Sequence, residues 1–280
     1  MKNSMRAPFQ HLLAVTALLS LAACGGGGGG GGTAPLSPGG GTGTTPGTSS
    51  QTLGSYCKPL FTALTPGTTW NVVLQDASNA GSTTTMDVSV GNLTHQAGYA
   101  VYPVNLVQTD STTSTSGVTT TVRNATAYNY PSALDQVTQY GDIVTTTTTI
   151  TPTGGTPQST STNESDVYSP TAFIDNSYAL VAGGSILQTS SYIQTVTGTG
   201  ASNVFDVSTT VKFVDVESIK VPAGTYLTCR VDTTTAFTGL NITTTSTEYA
   251  LVGAGVPVKT VSDAGTVMEA TSVKVNGVPK

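Results

Sequence analysis

The segment Val204–Val216 alternates apolar and polar side chains with a period of two residues. One parity carries Phe205, Val207, Val211 and Phe213, and the other carries Asp206, Ser208 and Lys212. Because successive side chains of a β-strand point to opposite faces, this pattern is typical of an antiparallel strand with one buried and one solvated face. No segment after residue 54 keeps a helical apolar period, so we predict no long helix.

Composition supports the same fold class. Thr and Ser are abundant whereas Lys and Glu are scarce, and threonine and valine suit a pleated, half-buried surface. About 225 residues follow residue 54, which a single β-sandwich or barrel can fill. We therefore predict an all-β fold with one antiparallel domain over residues 55–280. The expected strands are Thr69–Gln75, Thr83–Val90, Tyr99–Gln108, Val204–Val216, Tyr226–Phe237, Ile242–Val252, Val256–Val261 and Thr266–Val275.

The middle third of the domain is the least readable part. Val118–Ile150 is rich in threonine and carries little apolar mass, and Thr145–Thr149 must point to both faces of any strand. We therefore expect an exposed or edge region here. Pro103 suggests a sheet edge or a bulge in the third strand, because proline cannot donate to a ladder.

The N-terminal residues have the order of an export signal. Lys2 and Arg6 precede an apolar run from Leu12 to Leu21, which leads into Leu21-Ala22-Ala23-Cys24. The run is shorter than the roughly 20 residues of a membrane span and suits a signal peptide. Leu21–Cys24 resembles the lipobox of bacterial lipoproteins, which implies cleavage before Cys24 and lipidation of its thiol. The alternative is an ordinary secreted protein in which Cys24 is incidental.

The resemblance also implies a location. Residues 1–23 would be the signal peptide, and Cys24 would carry several acyl chains, which anchor stably where one chain binds marginally. Gly25 follows the cysteine instead of Asp, which resembles the signal for transfer to the outer membrane. The implied site is the outer membrane, with the domain facing either the periplasm or the cell surface.

Residues 24–54 connect this anchor to the domain. Residues 25–54 are almost wholly Gly, Thr, Ser and Pro, with Leu36 and Leu53 as the large apolar side chains. Such a composition predicts a flexible linker. Its r.m.s. reach of about 30 Å would hold the domain clear of the lipid headgroups.

Two parts of the domain resemble uncharacterised proteobacterial outer-membrane lipoproteins. Leu64-Thr65-Pro66-Gly67-Thr68-Thr69-Trp70 is similar to their opening turn and Trp-bearing strand. Val221-Pro222-Ala223-Gly224-Thr225-Tyr226, with Tyr249 and Gly255–Lys259 after it, is similar to their closing repeat, although Leu251, Val252 and Pro257 depart from it. The resemblance implies a curved antiparallel sheet or half-barrel without an established activity.

Charge limits the classes of partner. The formal charge is −5, and it becomes −7 without residues 1–23, which contain Lys2 and Arg6 but no acid. Nucleic-acid binding needs clustered Lys and Arg, so we predict no nucleic-acid partner. The membrane link that we expect is the lipid on Cys24, and a protein, glycan or lipid partner stays open.

The mature domain contains Cys57 and Cys229. An exported compartment is oxidising, so an even pair predicts a disulfide first. The alternatives are two unpaired buried thiols and a metal pair. The metal pair is disfavoured because no histidine or third cysteine lies near either thiol in sequence. Cys229 shares the inward parity of its strand with Leu227 and Val231, which fits a buried bridge.

The search for a catalytic site finds no strong candidate. His95 is the one histidine left after the signal peptide, and no Gly-x-Ser-x-Gly elbow is present. Ser55 and Lys58 match Ser-x-x-Lys, but Pro59 argues against the helix that this motif requires. The carboxylate pairs Asp215/Glu217 and Glu164/Asp166 could serve glycoside hydrolysis, and are more simply explained as solvated strand faces. We therefore predict no catalytic residue and no enzyme.

We likewise predict no cofactor and no metal site. One histidine is too few for zinc, and no Asp-x-Asp-x-Asp-Gly loop is present, although calcium at aspartates of loop ends stays open. The favoured hypothesis is a non-enzymatic envelope lipoprotein that binds a partner or has a structural role. The alternatives are a carrier for a hydrophobic ligand in a half-barrel, a carboxylate-dependent hydrolase and a surface adhesin.

Overall fold

The computed structural model describes residues 51–57, 64–133, 136–169, 172–197 and 199–280. A short helix, α1 (Leu53–Tyr56), and a 3₁₀ helix (Ser177–Ala179) accompany fifteen strands. The strands are β1 (Thr69–Asp76), β2 (Ser82–Val90), β3 (Thr94–Gln96), β4 (Tyr99–Ser114), β5 (Gly117–Ala133), β6 (Gln136–Pro152), β7 (Gln158–Ser169), β8 (Phe173–Asp175), β9 (Ser185–Val196), β10 (Ala201–Val221), β11 (Gly224–Thr238), β12 (Ile242–Leu251), β13 (Pro257–Ser262), β14 (Val267–Val275) and β15 (Val278–Pro279).

The strands form one antiparallel sheet that closes on itself. Neighbours follow the order β1-β2-β4-β5-β6-β7-β9-β10-β11-β12-β13-β14, and β14 returns to pair with β1 from Trp70↔Val275 to Asp76↔Met268. The ring is therefore a 12-strand barrel. β3, β8 and β15 each pair with one strand of the ring. The all-β prediction is confirmed, and the curved sheet closes into a ring through the pairing of β14 with β1.

The apolar core occupies the barrel interior. On β1, Trp70, Val72 and Leu74 alternate with more exposed residues, and on β2, Met86, Val88 and Val90 are buried beside them. Phe213 of β10 is fully buried in the same core. The alternation expected of Val204–Val216 is confirmed by the burial of Val207, Val211 and Phe213. Leu227 is 51% exposed, against the expectation that it faces inward.

The threonine-rich middle is part of the barrel wall. β6 pairs with β5 along one edge and with β7 along the other, so the expectation of an edge region is wrong. Thr146 is buried, whereas Thr145 and Thr147 are half-buried and hydrogen-bond to residues of β7. Hydroxyl pairs between neighbouring strands stabilise a sheet without apolar bulk, since cross-strand Thr–Thr and Thr–Ser pairs interact favourably.

Pro103 lies where one ladder ends. The pairing of β2 with β4 stops at Val90↔Val104, and the Pro103 carbonyl accepts a bond from the Gly91 amide beyond that point. Pro103 remains paired with Tyr128 of β5. The missing amide proton of the proline therefore falls at a local end of the β2–β4 ladder.

The N-terminal segment fills one end of the barrel. Leu53 is buried, although the composition of residues 25–54 places it in the predicted linker. Its backbone amide donates to the Leu180 carbonyl. The predicted disulfide between Cys57 and Cys229 is present, with Cα atoms 6.2 Å apart and both residues fully buried. The bridge attaches the start of the domain to β11 across 172 residues of chain.

Candidate functional site

The barrel wall opens between β8 and the first half of β9. β7 pairs with β9 only where Glu164–Ser169 faces Val196–Ser191. Past that point the chain pairs with β6 as β8, and Ser185–Ser190 pairs with β10 alone in the described part of the chain. A groove of about 590 Å³ lies in this interval, between residues 172–176 on one side and residues 186–191 and 206–208 on the other. We call it the lateral groove.

A side chain bridges this opening in place of backbone pairing. The Gln188 carboxamide accepts a hydrogen bond from the backbone amide of Asn176 at 2.8 Å and donates one to the Asp175 carboxylate at 3.0 Å. Adjacent strands of a sheet lie about 4.8 Å apart and bond directly through their backbones. The use of a long side chain shows that β8 and β9 are held farther apart than neighbouring strands.

The lateral groove has both polar and apolar walls. Thr189, Ser191 and Asp206 contribute polar groups, and the Ser191 hydroxyl donates to the Asp206 carboxylate. Leu187 and Ile174 are 65% and 49% exposed on its two sides. Two unpaired strand edges flanked by apolar side chains can accept an extended chain, which would bond through its backbone and contact both side chains.

One wall of the barrel interior, formed by β4 to β7, is polar. Arg123 is 3% exposed, and its guanidinium donates to the Gln108 carboxamide at 3.4 Å. Asp110 accepts hydrogen bonds from Thr84 at 2.6 Å and from Gln108 at 2.8 Å. Burial lowers the pKa of Arg123, and the charges of Asp110 and Glu164 oppose that shift.

Two aspartates face each other on this polar wall. Asp142 of β6 and Asp166 of β7 are direct cross-strand partners and are 6% and 4% exposed. Burial, followed by the charges of Asp166 and Glu164, raises the pKa of Asp142 well above its ordinary value. Burial and the charge of Glu164 raise the pKa of Asp166 to about 7, although a contact from Gln194 opposes the shift. We call this pair the aspartate pair.

An aromatic cluster separates the aspartate pair from the lateral groove. Tyr168 lies two residues from Asp166 on the inward face of β7, and its cross-strand partner Tyr192 lies two residues from Gln194 on β9. The two tyrosine rings are 6.1 Å apart. They pack with Val207 and Phe237. Burial, and then the charges of the two aspartates among others, raises the pKa of both tyrosines, so their hydroxyls stay protonated.

A further carboxyl group, that of the half-buried Glu248, faces another part of the interior. Glu248 of β12 lines a cavity of about 50 Å³ together with Asp175, Ser246 and Tyr178, among others. Burial raises the pKa of Glu248 to about 8. The carboxyl group is therefore mainly protonated at neutral pH, because the charged form has lost its hydration.

The candidates from sequence analysis lie in different places. Cys24 is outside the described residues, as is Lys58. His95 is exposed in β3, and Asp215 is exposed on β10. His95 and Asp215 therefore lie on different strands.

The interpretation of Glu164 and Asp166 as a solvated strand face is wrong for Asp166, which is 4% exposed. None of the sequence motifs points to Asp142. Both aspartates share parity with buried neighbours, since Val144 and Tyr168 are also buried two residues away. That parity is the signal in the sequence that could have identified them, because residues two apart on a strand face the same side.

None of the helices in the described ranges has the length and apolar character that crossing a bilayer requires. Within the same ranges, His, Cys, Asp and Glu side chains are not grouped in threes or more so that they could hold a metal ion. No family model, no curated protein and no solved structure matches the chain.

Proposed function

We propose that this chain is a lipid-anchored envelope protein whose barrel binds an extended polypeptide in the lateral groove. The observation that supports the binding role is the opening of the sheet between β8 and Ser185–Ser190, with its groove of about 590 Å³. The anchor is supported by the sequence around Cys24. The proposed activity is binding without catalysis.

A polypeptide fits this groove better than a lipid. The alternative of a hydrophobic-ligand carrier calls for a large continuous apolar concavity. The described core side chains instead fill the barrel around Phe213, and α1 and Tyr178 fill one end of it. The lateral groove contains Thr189, Ser191 and Asn176, whose polar groups suit the backbone of a bound strand.

A carboxylate-dependent hydrolase has less support. Asp142 and Asp166 converge, as such an enzyme requires. Both are more than nine-tenths buried, and Tyr168 and Tyr192 lie between them and the lateral groove. A glycosidic bond needs access to both carboxyl groups with space for water or the sugar ring. The buried arrangement does not offer that access.

The first test concerns the anchor. Cys24→Ala is expected to move the protein from the membrane fraction to the soluble envelope fraction, because the variant has no thiol to lipidate and one lost anchor removes several acyl chains. Fractionation with immunoblotting measures the distribution. Cys57→Ala, which leaves Cys24 in place, is the matched control and should remain with the membrane. Retention of the Cys24→Ala variant in the membrane fraction would contradict the proposed anchoring.

The second test concerns the lateral groove. A photo-crosslinking amino acid is introduced in cells at Leu187 or at Thr189. We expect each variant to form a covalent adduct with a polypeptide partner, so protease treatment that cuts the partner should lower the mass of the adduct. The physical reason is that an added strand would lie within contact distance of both side chains, since paired strands are about 4.8 Å apart. Gel shift and mass spectrometry identify the adduct.

The matched control for the groove is Val107, which is 40% exposed on β4, where β2 and β5 pair on both sides. It should give no adduct. An adduct of twice the chain mass would identify a second copy as the occupant. Equal crosslinking at Val107 and Leu187, or none at either groove position, would refute the binding role of the groove.

A further inference from the structure

The aspartate pair is placed by the β6–β7 ladder. Asp142 and Asp166 are directly opposite each other, and both side chains are buried in the barrel interior. The β-carbons of directly opposed residues are about 4.5–5.5 Å apart. Two carboxyl groups on such positions can reach a single atom placed between them.

Each aspartate has an oxygen without a partner. The Oδ1 atoms of Asp142 and Asp166 are buried and accept no hydrogen bond from the described residues. The nearby acids differ, because Asp110 accepts from Thr84 and Glu164 accepts from Gln194 at 3.3 Å. Buried polar atoms are normally hydrogen-bonded, so an orphan oxygen on each of two directly paired residues calls for a ligand that the two residues can share.

Among the described residues, no Lys or Arg is recorded as interacting with this pair. Arg123 is the only Lys or Arg on β4 to β7 and on β9. Its guanidinium binds Gln108 and interacts with the charges of Asp110 and Glu164. Two ionised carboxylates in a low-dielectric interior repel each other strongly without a countercharge.

We propose that Asp142 and Asp166 together bind one divalent cation of the hard, oxygen-preferring class, for which Ca²⁺ is the probe. Two carboxylates balance its charge, and carboxylate oxygens are the ligands that such cations prefer. Uncharged oxygens would complete the coordination. Tyr168 and Tyr192 are candidates to supply them, because the charges of both aspartates contribute to the raised pKa of each tyrosine. The site is independent of the polypeptide-binding role proposed for the lateral groove.

The aspartate pair lies near the lateral groove along β7 and β9. On β7 the inward residues run Glu164, Asp166, Tyr168, and the pairing with β9 ends at Ser169. The groove begins there, so one layer of aromatic side chains separates the aspartate pair from it. Calcium tolerates irregular coordination better than magnesium, which suits a site assembled on strands with fixed spacing.

The experiment is equilibrium dialysis of the whole Cys24→Ala chain against radioactive Ca²⁺ at neutral pH, with KCl to match ionic strength. The expected result is one Ca²⁺ per chain and a thermal midpoint that rises with Ca²⁺. Asp142→Asn and Asp166→Asn should each weaken binding by about tenfold or more, given that even residues supporting a metal ligand often change affinity by about 10- to 100-fold. The double variant should show no stoichiometric binding.

Asn has nearly the size of Asp, so these variants keep the interior filled, and the midpoint measured without Ca²⁺ reports whether each one folds. Asp206→Asn, in the lateral groove, is the matched control and should bind Ca²⁺ as the parent does. If the parent chain binds no Ca²⁺, the proposal is overturned. The two aspartates would then share a proton or a water molecule instead. Equal binding by parent and double variant overturns the proposal as well.

Discussion

Removing the Cys57–Cys229 bridge is expected to lower the free energy of unfolding by about 3–5 kcal/mol. The bridge closes a loop with a sequence separation of 172 residues, for which the chain-entropy account gives about 5 kcal/mol as an upper figure. Both residues are fully buried. The free energy of unfolding therefore falls for two reasons: the unfolded chain is less constrained, and α1 is attached more weakly to the barrel.

Denaturant unfolding of Cys57→Ala/Cys229→Ala, compared with the oxidised parent, measures this effect. Cys24→Ala serves as the common background, so no third thiol can exchange. The parent reduced by dithiothreitol is the control for packing, because it keeps both sulfur atoms. It should be nearly as unstable as the double variant. A reduced parent as stable as the oxidised protein would show that the bridge contributes little.

Glu248→Gln is expected to stabilise the barrel at alkaline pH. Burial raises the pKa of Glu248 from 4.5 to about 8. The folded state therefore holds this proton more tightly than the unfolded chain does. The resulting stabilisation is fully present below about pH 4.5 and is lost as pH rises through about 8. Gln cannot ionise, so the variant should escape this loss, which reaches about 3–5 kcal/mol by pH 9.

The measurement is the free energy of unfolding of both proteins between pH 4 and pH 9, in the presence of a chelator so that divalent cations do not contribute. The difference between them should be near zero at the acid end and should widen toward the alkaline end. Asp175 faces the same cavity, so its charge is common to both proteins. Asp263→Asn, which removes one carboxylate from an exposed turn, is the matched control for the change in net charge. Parallel curves for Glu248→Gln and the parent would contradict a buried, proton-binding Glu248.

Sequence patterns predicted the strands well where one face is apolar. Val204–Val216 lies within the observed β10, and the two predicted strands of the closing hairpin agree with β13 and β14 to within one residue at each end. The alternation there reflects a local property, because side chains two apart face the same side whatever the strand pairs with. The threonine-rich segment Val118–Ile150 shows no such contrast, and its place as β5 and β6, between β4 and β7, is visible only in the sheet.

The candidate site was much less accessible to prediction. Asp166 looked solvated because carboxylates are rarely buried without a partner. The lateral groove depends on where β7 leaves β9 after Ser169↔Ser191, and no residue pattern marks that point. The aspartate pair requires the register that sets Asp142 against Asp166 across two strands.

The all-β class, the alternation of Val204–Val216 and the two cysteines available for a bridge follow from residue patterns in the sequence. The tertiary structure decided the closure of the sheet through β1 and β14, the opening beside β9 and the meeting of two buried aspartates. This difference arises because side-chain alternation depends only on a few neighbouring residues of one strand. Strand partners and register are settled by packing among residues that are far apart in the chain.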